Sequence, residues 1–410
     1  MAGRLTFQIA LRYLRGKGTA NVVSILSRIS MAAIAICSGA MIVLLSVFSG
    51  FEFLVKDLYK AFYPEIKITT KKGKFFSLDS SVINNIRGIN GVQNVSSVIE
   101  DNVLVNNGDQ YTVITLKGVD DNYFDVNNVS PYIVEGLKKI SHTQSDEAIV
   151  GWHTAKVLAT DVKNVFHNIV FYYPTNSISS ISINPESAFR SLNLHTGGIF
   201  QVQEDFDSKY VLAALAPVQE LFGEKGNCTS VEISADKGMA DDIKKQIQEL
   251  TGNSFRVETR YEQNRTLYMV MGIEKWAMYA ILFFVLLIAA FNMTGALSML
   301  VVEKRKDIAI LKAMGALPST IRKIFFLEGV MWSVLGGGVG ILLGAILCAV
   351  QLKFGLIKLS GSFVMDAYPV KMQWTDFALV IATIFVVGLL AAWYPAMRST
   401  KTEDPSLKSA

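Results

Sequence analysis

Residues 303–316 read Glu-Lys-Arg-Lys-Asp-Ile-Ala-Ile-Leu-Lys-Ala-Met-Gly-Ala, a charged amphipathic stretch set between two apolar runs. Those runs, 276–302 and 329–352, contain no Lys, Arg, Asp or Glu. About 20 apolar residues in a helix cross a hydrocarbon core of roughly 30 Å, so each run reads as a membrane span. The charged stretch must then lie at the membrane surface, where a membrane protein meets a soluble partner.

Working outward, 29–50 and 377–396 are equally free of charge. One Lys, Arg or Asp at a helix centre would cost about 2.5–3.5 kcal/mol on insertion. Four spans result, and no fifth run qualifies. With 410 residues, 51% of them hydrophobic, and a mean hydropathy of +0.34, the chain is too apolar for a soluble globule. Its 18% charged residues still leave room for a sizeable water-facing domain. The first run is too long for a signal-peptide core of roughly 7–15 residues. Ile36 is too large for the lipoprotein processing box faintly suggested by 34–37, so this run reads as an uncleaved anchor.

The predicted fold is a four-span α-helical transmembrane domain with an α+β extracytoplasmic domain of two lobes inserted between spans one and two. In order, the chain divides into an amphipathic N-terminal helix (1–28), a first span (29–50), an outer domain (51–273) and a second span (274–302). A cytoplasmic loop (303–325), a third span (326–352), a short outer loop (353–376), a fourth span (377–397) and a tail (398–410) follow. Basic residues near spans resist translocation. The arm carries Arg4, Arg12, Arg15, Lys17 and Arg28 without an acid, and the loop carries Lys304, Arg305, Lys306, Lys312, Arg322 and Lys323 against Glu303 and Asp307. Both termini and this loop are therefore expected in the cytoplasm, with the large domain outside.

Within that domain, Glu65-Ile-Lys-Ile-Thr69 alternates as a strand, and Val82, Ile83, Ile86 and Ile89 recur at helical spacing. Asn107-Gly108 between 103–105 and 111–116 marks a hairpin. The grammar repeats at 231–233, 239–250 and 255–258. The two halves, 52–120 and 228–272, are expected to form one porter-like lobe, with 121–227 as an inserted β-rich lobe. Cys37 and Cys348 fall in spans and Cys228 stands alone outside, so no intrachain disulfide can form in the domain. The four histidines, at 142, 153, 167 and 195, show no ligand spacing, and no metal site is expected.

No G-x-x-x-x-G-K-[ST], G-x-S-x-G, H-E-x-x-H or C-x-x-C occurs. The chain is expected to be no enzyme and to hold no cofactor, drawing its energy from another subunit. As a helix, 303–315 sets Ile308 and Leu311 on one face, leaves Glu303, Arg305 and Lys312 able to reach a partner, and ends at Gly315. Composition leaves two readings open, a docking helix or a basic loop on anionic lipid. In the arm, Phe7, Ala10, Leu11 and Leu14 oppose Arg4, Gln8, Arg12 and Arg15, as in an interfacial helix. Gly336, Gly340 and Gly344 share one face of span three and allow another helix to pack closely. Glu328, at the edge of that span, reads as a snorkelling or paired carboxylate.

The run 292–316, Asn-Met-Thr-Gly-Ala-Leu-Ser-Met-Leu-Val-Val-Glu-Lys-Arg-Lys-Asp-Ile-Ala-Ile-Leu-Lys-Ala-Met-Gly-Ala, closely resembles the signature of the FtsX-like permeases of ABC transporters. Ala392-Trp-Tyr-Pro-Ala-Met-Arg398, with Tyr394, Pro395 and Arg398, resembles the C-terminal signature of that family. Ile9-Ala-Leu-Arg-Tyr-Leu14 and Phe48-Ser-Gly-Phe-Glu52 are most similar to its LolC/LolE branch, the lipoprotein-releasing permeases, and the whole plan is MacB-like.

The resemblance implies a multi-pass protein of a bacterial inner membrane with a periplasmic domain. It implies that 303–315 is a coupling helix seated on a dimer of ABC-type ATPase subunits, which carry the ATP and Mg. A second permease copy or paralogue, a lipoprotein substrate, a periplasmic lipoprotein carrier and membrane lipids are the other implied partners, and nucleic acid is not one. Acyl chains would enter between spans one and two, so Met41, Leu45, Phe48, Phe51, Phe284, Leu287 and Phe291 are groove candidates, although lipid exposure explains their composition equally well. The segment holding Pro174, Ile178, Ile181 and Pro185 is either an ordinary loop or a hairpin that grips the carrier. A regulator of a cell-wall hydrolase, as in the cell-division branch, or a MacB-type exporter are the alternatives.

Overall fold

The apolar runs continue as helix well past the hydrocarbon core. The computed structural model describes residue 8 and residues 22–141, 146–163, 168–175, 188–236, 238–358 and 367–399. The expected N-terminal helix up to residue 21, apart from Gln8, and the tail from residue 400 lie outside the described residues.

In chain order the main elements are α1 (Val22–Tyr59), β1 (Ile66–Thr70), α2 (Ser80–Arg87), β2 (Val92–Asn107), β3 (Gln110–Val119), β4 (Ile133–Gly136) and β5 (Glu147–Gly151). Then come β6 (Asn168–Pro174), β7 (Phe189–Phe200), β8 (Tyr210–Ala214), α3 (Leu215–Phe222), β9 (Ser230–Ala235), α4 (Ala240–Thr251) and β10 (Phe255–Thr259). The chain closes with α5 (Arg265–Glu303), α6 (Arg305–Ala313), α7 (Pro318–Phe354) and α8 (Trp374–Arg398). Two compact units result: one holds the chain up to Phe53 and most of it from Val270 onward, the other Leu54–Met269.

Among the described residues, four helices, α1, α5, α7 and α8, are long and apolar enough to span. At a rise of about 1.5 Å per residue, α1, α5 and α7, with 38, 39 and 37 residues, run far beyond the roughly 30 Å that a span requires. Pro318 opens α7, where a missing N–H does no harm, and Gly355 at φ +57° stops it.

The glycine spacing on α7 has a definite partner in α1. A Cβ added at Gly336 would lie 2.7 Å from Met31 O, and one at Gly344 would lie 2.8 Å from Gly39 O. At Gly340 it would run into Ala35 O and Ser38 Oγ. Only hydrogen at these three positions lets the two backbones approach. On other faces of α7, Gly337 lies against Ile384 and Gly329 against Ala392 of α8. Met41, Leu45, Leu286, Leu297, Trp332 and Ile384 are among the side chains that fill the space between the spans.

In the other unit the two strand–helix halves come together. β1 pairs antiparallel with both β9 and β10, and Ile86 of α2 shares a core with Ile243 and Ile247 of α4. The hairpin forms at Gly108, φ +62°, in register Asn107↔Gln110. Among the described residues, the inserted middle does not build a sheet of its own. All strands of the described residues join one ten-stranded sheet in the order β10-β1-β9-β2-β3-β8-β5-β7-β4, with β6 pairing β2 and β7. The reason lies in β3, whose residues 114–119 are all buried. Such a strand needs a partner on each edge, and β8 supplies the second by parallel pairing, Thr115↔Tyr210.

Charges are buried where β9, β2 and β3 meet. Lys117 Nζ stands 2.9 Å from Glu232 Oε1 and 3.7 Å from Glu100 Oε2, with Lys117 1% and Glu232 0% exposed. Asn127 Nδ2 donates to Glu232 Oε2 at 2.5 Å, and Lys67 Nζ lies 3.2 Å from Glu100 Oε1. Burial alone would lower the Lys117 ammonium, but Glu232 beside it holds it well above its ordinary value. Burial would raise Glu100, but Lys67 and Lys117 bring it down to about 2.

Removing one partner of a buried pair strands the other. Lys117→Met is therefore expected to lose about 3–5 kcal/mol in denaturant unfolding, with much of it restored when Glu232→Met is added. Because the folded Glu100 value is depressed, its stabilisation is present above its ordinary 4.5 and is lost as pH falls through about 2. Glu100→Gln is expected to flatten that acid limb in a pH series of unfolding curves.

Candidate functional site

The charged stretch 303–316 becomes a bend, a short helix and a turn. Lys304, at φ −83° and ψ 14°, is the single residue between α5 and α6. The hydrogen-bond path survives the bend, with Lys304 N donating to Leu300 O and Ile308 N to Lys304 O, both at 2.9 Å. α6 closes at Gly315, φ +87°. Ala316 N donates to Leu311 O at 2.9 Å and Gly315 N to Lys312 O at 3.0 Å, the paired bonds of a Schellman stop.

The apolar residues of α6 divide differently from the expected face. Ile308 is 5% exposed and packs with Val301 of α5, Ile321 and Phe325 of α7 and Ala396 of α8. It ties α6 to the spans and is not available to a partner. Leu311 is half-buried. The exposed apolar residues are Ile310 at 58%, Met314 at 70% and Leu317 at 66%. Glu303, Arg305, Lys306, Lys312 and Gly315 are exposed around them. Sequence reasoning missed Ile310, Met314 and Leu317 because 308–314 carries apolar side chains on two faces, and only packing decides which face turns inward. The 310/314 spacing was the available signal.

α8 supports this site. Pro395 lies inside that helix and has no N–H, so Ala391 O loses its usual donor. Thr294 Oγ1 of α5 stands 3.1 Å from Ala391 O and 3.0 Å from Ala290 O of its own helix. A hydroxyl from a neighbouring span thus repairs the break, as hydrocarbon requires. Tyr394 is exposed, and Arg398 stacks over its ring at 5.5 Å.

The groove candidates do not share one surface. Met41 and Leu45 are fully buried between the spans, and Leu287 packs partly against the same core. Phe48 is half-buried. Phe51, at 38%, and Phe284 and Phe291, at 63% and 72%, face outward. At the other end of the spans from α6 lies a polar cluster that the sequence reading did not single out. Lys275 Nζ of α5 stands 3.1 Å from Asp376 Oδ1 of α8 and donates to Ser49 Oγ of α1 at 3.1 Å. Ser49 Oγ in turn donates to Asp376 Oδ2 at 2.8 Å. Both charges sit just outside the apolar windows, where sequence alone suggests headgroup contact.

Pro174 ends β6 opposite Phe189, and Ile178, Ile181 and Pro185 lie outside the described residues. Glu328 does not snorkel. It is 1% exposed, and its Oε2 has no hydrogen-bond partner among the described residues.

The described residues thus form four spans, with an α+β domain inserted after the first and a short surface helix after the second. Residues 279–403 match the FtsX-like permease C-terminal family, and residues 27–165 match the MacB-like periplasmic core domain. The chain thus carries an FtsX-like permease C-terminal domain and a MacB-like periplasmic core domain, and its four apolar helices and LolC/LolE relatives indicate a multi-pass inner-membrane protein with a periplasmic domain. Among curated relatives, the lipoprotein-releasing system transmembrane protein LolE of Haemophilus influenzae is 26% identical over 98% of this chain and 99% of its own. The corresponding LolC of Neisseria meningitidis serogroup B is 23% identical over 96% of each. Among solved structures, the periplasmic region of MacB from Actinobacillus actinomycetemcomitans shares 10% identity at a TM-score of 0.36, covering 53% of this chain and 98% of that one.

The inward and outward faces of α6 are separable by mutation. Ile308→Ala is expected to lower the stability of the purified chain by about 2–5 kcal/mol through the cavity it leaves. Met314→Ala is expected to stay within about 0.5 kcal/mol, since Met314 is 70% exposed. Thermal unfolding in detergent measures both.

Proposed function

We propose that this chain is the membrane subunit of an ABC transporter that releases lipoproteins from the inner membrane to a periplasmic carrier. The observation that carries this reading is the full-length similarity to lipoprotein-releasing permeases, at 26% and 23% identity. The exposed ridge of α6 supports it, because a permease without a P-loop needs a surface through which work can enter. On this reading the termini and α6 face the cytoplasm. Ile310, Met314 and Leu317 enter an apolar groove of the ATPase subunit, with Glu303, Arg305 and Lys312 at its rim, and ATP and Mg stay on that partner. A second permease copy or paralogue completes the membrane part. The segment after Pro174 reaches for the carrier.

The cargo is held by its lipid. Each acyl CH₂ moved into an apolar cleft contributes about 0.8 kcal/mol, so a cleft beside the first two spans competes with the bilayer for an acylated protein. Phe48 and Phe51 of α1 and Phe284 and Phe291 of α5 are the proposed contacts, since Met41 and Leu45 are already occupied by the interior of the bundle.

Depletion of the chain distinguishes the functions. Lipoproteins stranded in the inner membrane are the expected outcome; chained cells would instead indicate control of a cell-wall hydrolase, and intact lipoprotein traffic with loss of peptide or drug export a MacB-type role. Ile310→Asp is expected to weaken co-purification with the ATPase and lipoprotein release by about tenfold or more. An unpaired charge in an apolar groove costs more than the roughly 1.4 kcal/mol that makes one decade.

A further inference from the structure

α5 joins its neighbours in a different way from the other spans. Where α1, α7 and α8 meet, glycines let the helices close up: a Cβ at Gly344 of α7 would lie 2.8 Å from Gly39 O of α1, and one at Gly329 would lie 2.6 Å from the Ala392 side chain of α8. Around Gly272 and Gly295 of α5, a Cβ would meet nothing within 4 Å among the described residues. Side chains fasten α5 to α8 at three levels. Farthest from α6, Lys275 Nζ stands 3.1 Å from Asp376 Oδ1. One turn on, Tyr279 Oη and Thr383 Oγ1 are 2.6 Å apart; Thr383 donates its own proton to Leu379 O, so Tyr279 is the donor of this bond. Nearest α6, Thr294 Oγ1 reaches Ala391 O at 3.1 Å.

These fastenings are not equally easy to undo. Ala391 O loses its helix donor to Pro395, and hydrocarbon offers no substitute, so Thr294 has to stay. Beyond it toward α6, Val301 packs with Phe325 of α7 and Ala396 of α8, a second anchor at the same end. Lys275 sits at the other end with 27% of its side chain exposed, on a flexible stem whose ammonium water or a headgroup phosphate can serve in place of Asp376. Asp376, 3% exposed, keeps the Ser49 hydroxyl at 2.8 Å when Lys275 leaves. Between the Tyr279 and Thr294 levels lies a small void lined by Leu286, Ala290 and Met293 of α5 and by Ser333, Ile384 and Gly388. Close-packed interiors leave few such gaps, and this one lies on the free side of the α5 anchor.

We propose that α5 is the moving span of this bundle, swinging about Thr294 and Ala391 with its α6 end fixed and its far end parting from α8, and that Lys275–Asp376 is the catch. Lys275 lies 19 residues from Thr294, about 28 Å along the helix, so a tilt of about 10° carries it about 5 Å and parts the pair. The same movement takes Lys275 from Ser49 of α1, 3.1 Å away in the closed position. α1 stays with α7 through Gly336, Gly340 and Gly344, so the swing widens the cleft between α1 and α5. That this widening admits an acylated cargo rests on the function proposed above; the swing itself does not.

Spin labels report the swing in the full chain in lipid nanodiscs, with Cys37, Cys228 and Cys348 replaced by Ala. One pair, at the exposed positions 273 and 374, spans the far ends of α5 and α8, and another, at 302 and 397, spans the α6 end. Asp376→Asn is expected to add to the 273/374 distribution a distance longer by about 5 Å and to leave 302/397 unchanged. Lys275→Met undoes the catch from the other side while Ser49 still holds Asp376, and is expected to do the same. An unchanged 273/374 distance in both variants overturns the swing, and so does an equal change at both ends, which is general loosening. The link to cargo has its own test. In the complex with the ATPase subunit, Lys275→Cys and Asp376→Cys joined by a short, cleavable thiol crosslinker are expected to stop lipoprotein release until the linker is cut. If the labels show the swing but the linked complex still releases lipoprotein, the swing stands and its link to cargo falls.

Discussion

Backbone polar groups in hydrocarbon have to find partners within the protein, and the rest of this molecule is arranged around that constraint. It makes every span a helix, and it makes any break in a helix a debt to be settled nearby. Pro395 opens such a break in α8, and Thr294 reaches across from α5 to Ala391 O. With hydrogen bonding satisfied inside each helix and no hydrophobic force between helices in lipid, the spans hold together by close packing. Gly336, Gly340 and Gly344 bring α7 onto the backbone of α1, and Lys275, Ser49 and Asp376 join α5, α1 and α8 through one polar knot. That packing gives α6 a firm base. Ile308 is held by residues of three spans, so α6 and the turn that follows it present Ile310, Met314 and Leu317 in a defined direction.

The periplasmic unit is built on the opposite logic. Water is available, and strands can be exposed on one face, yet its centre carries Lys117, Glu232 and Glu100 on three neighbouring strands. Such a cluster adds little net stability over an apolar core of the same shape. What it does add is a penalty for wrong pairing, because a shift of β3 by one residue would carry Lys117 to the other face and leave Glu232 alone. In a sheet whose strands come from both halves of a long insertion, that penalty keeps the order of β9, β2 and β3 unique.

Much of this was legible in the sequence. Span positions followed from uninterrupted apolar runs, and the two strand–helix–strand halves followed from periods of two and of about 3.6 residues. The single sheet was not legible, because the parallel pairing of β3 with β8 joins segments roughly 95 residues apart and leaves no local pattern. At the candidate site, the existence of a surface helix ending at Gly315 could be read, but not its rotation. Ile308 and Leu311 against Ile310 and Met314 is a choice between two apolar faces that only Ile321, Phe325 and Ala396 resolve. Of the two readings of Glu328, snorkelling or paired, burial removes the first, for a related reason. A carboxylate near a span edge looks free to reach water until the helix is found to begin ten residues earlier at Pro318.

The central claim is that work enters this permease through the outward ridge of α6 while its inward face stays locked to the spans. Single cysteines at 308, 310, 311, 314 and 317, reacted with a charged thiol reagent before and after the ATPase subunit is added, test it directly. The account predicts that positions 310, 314 and 317 label freely in the chain alone and become protected in the complex, while 308 is unreactive throughout. Protection of 308 and 311 with continued labelling of 310, 314 and 317 would contradict it.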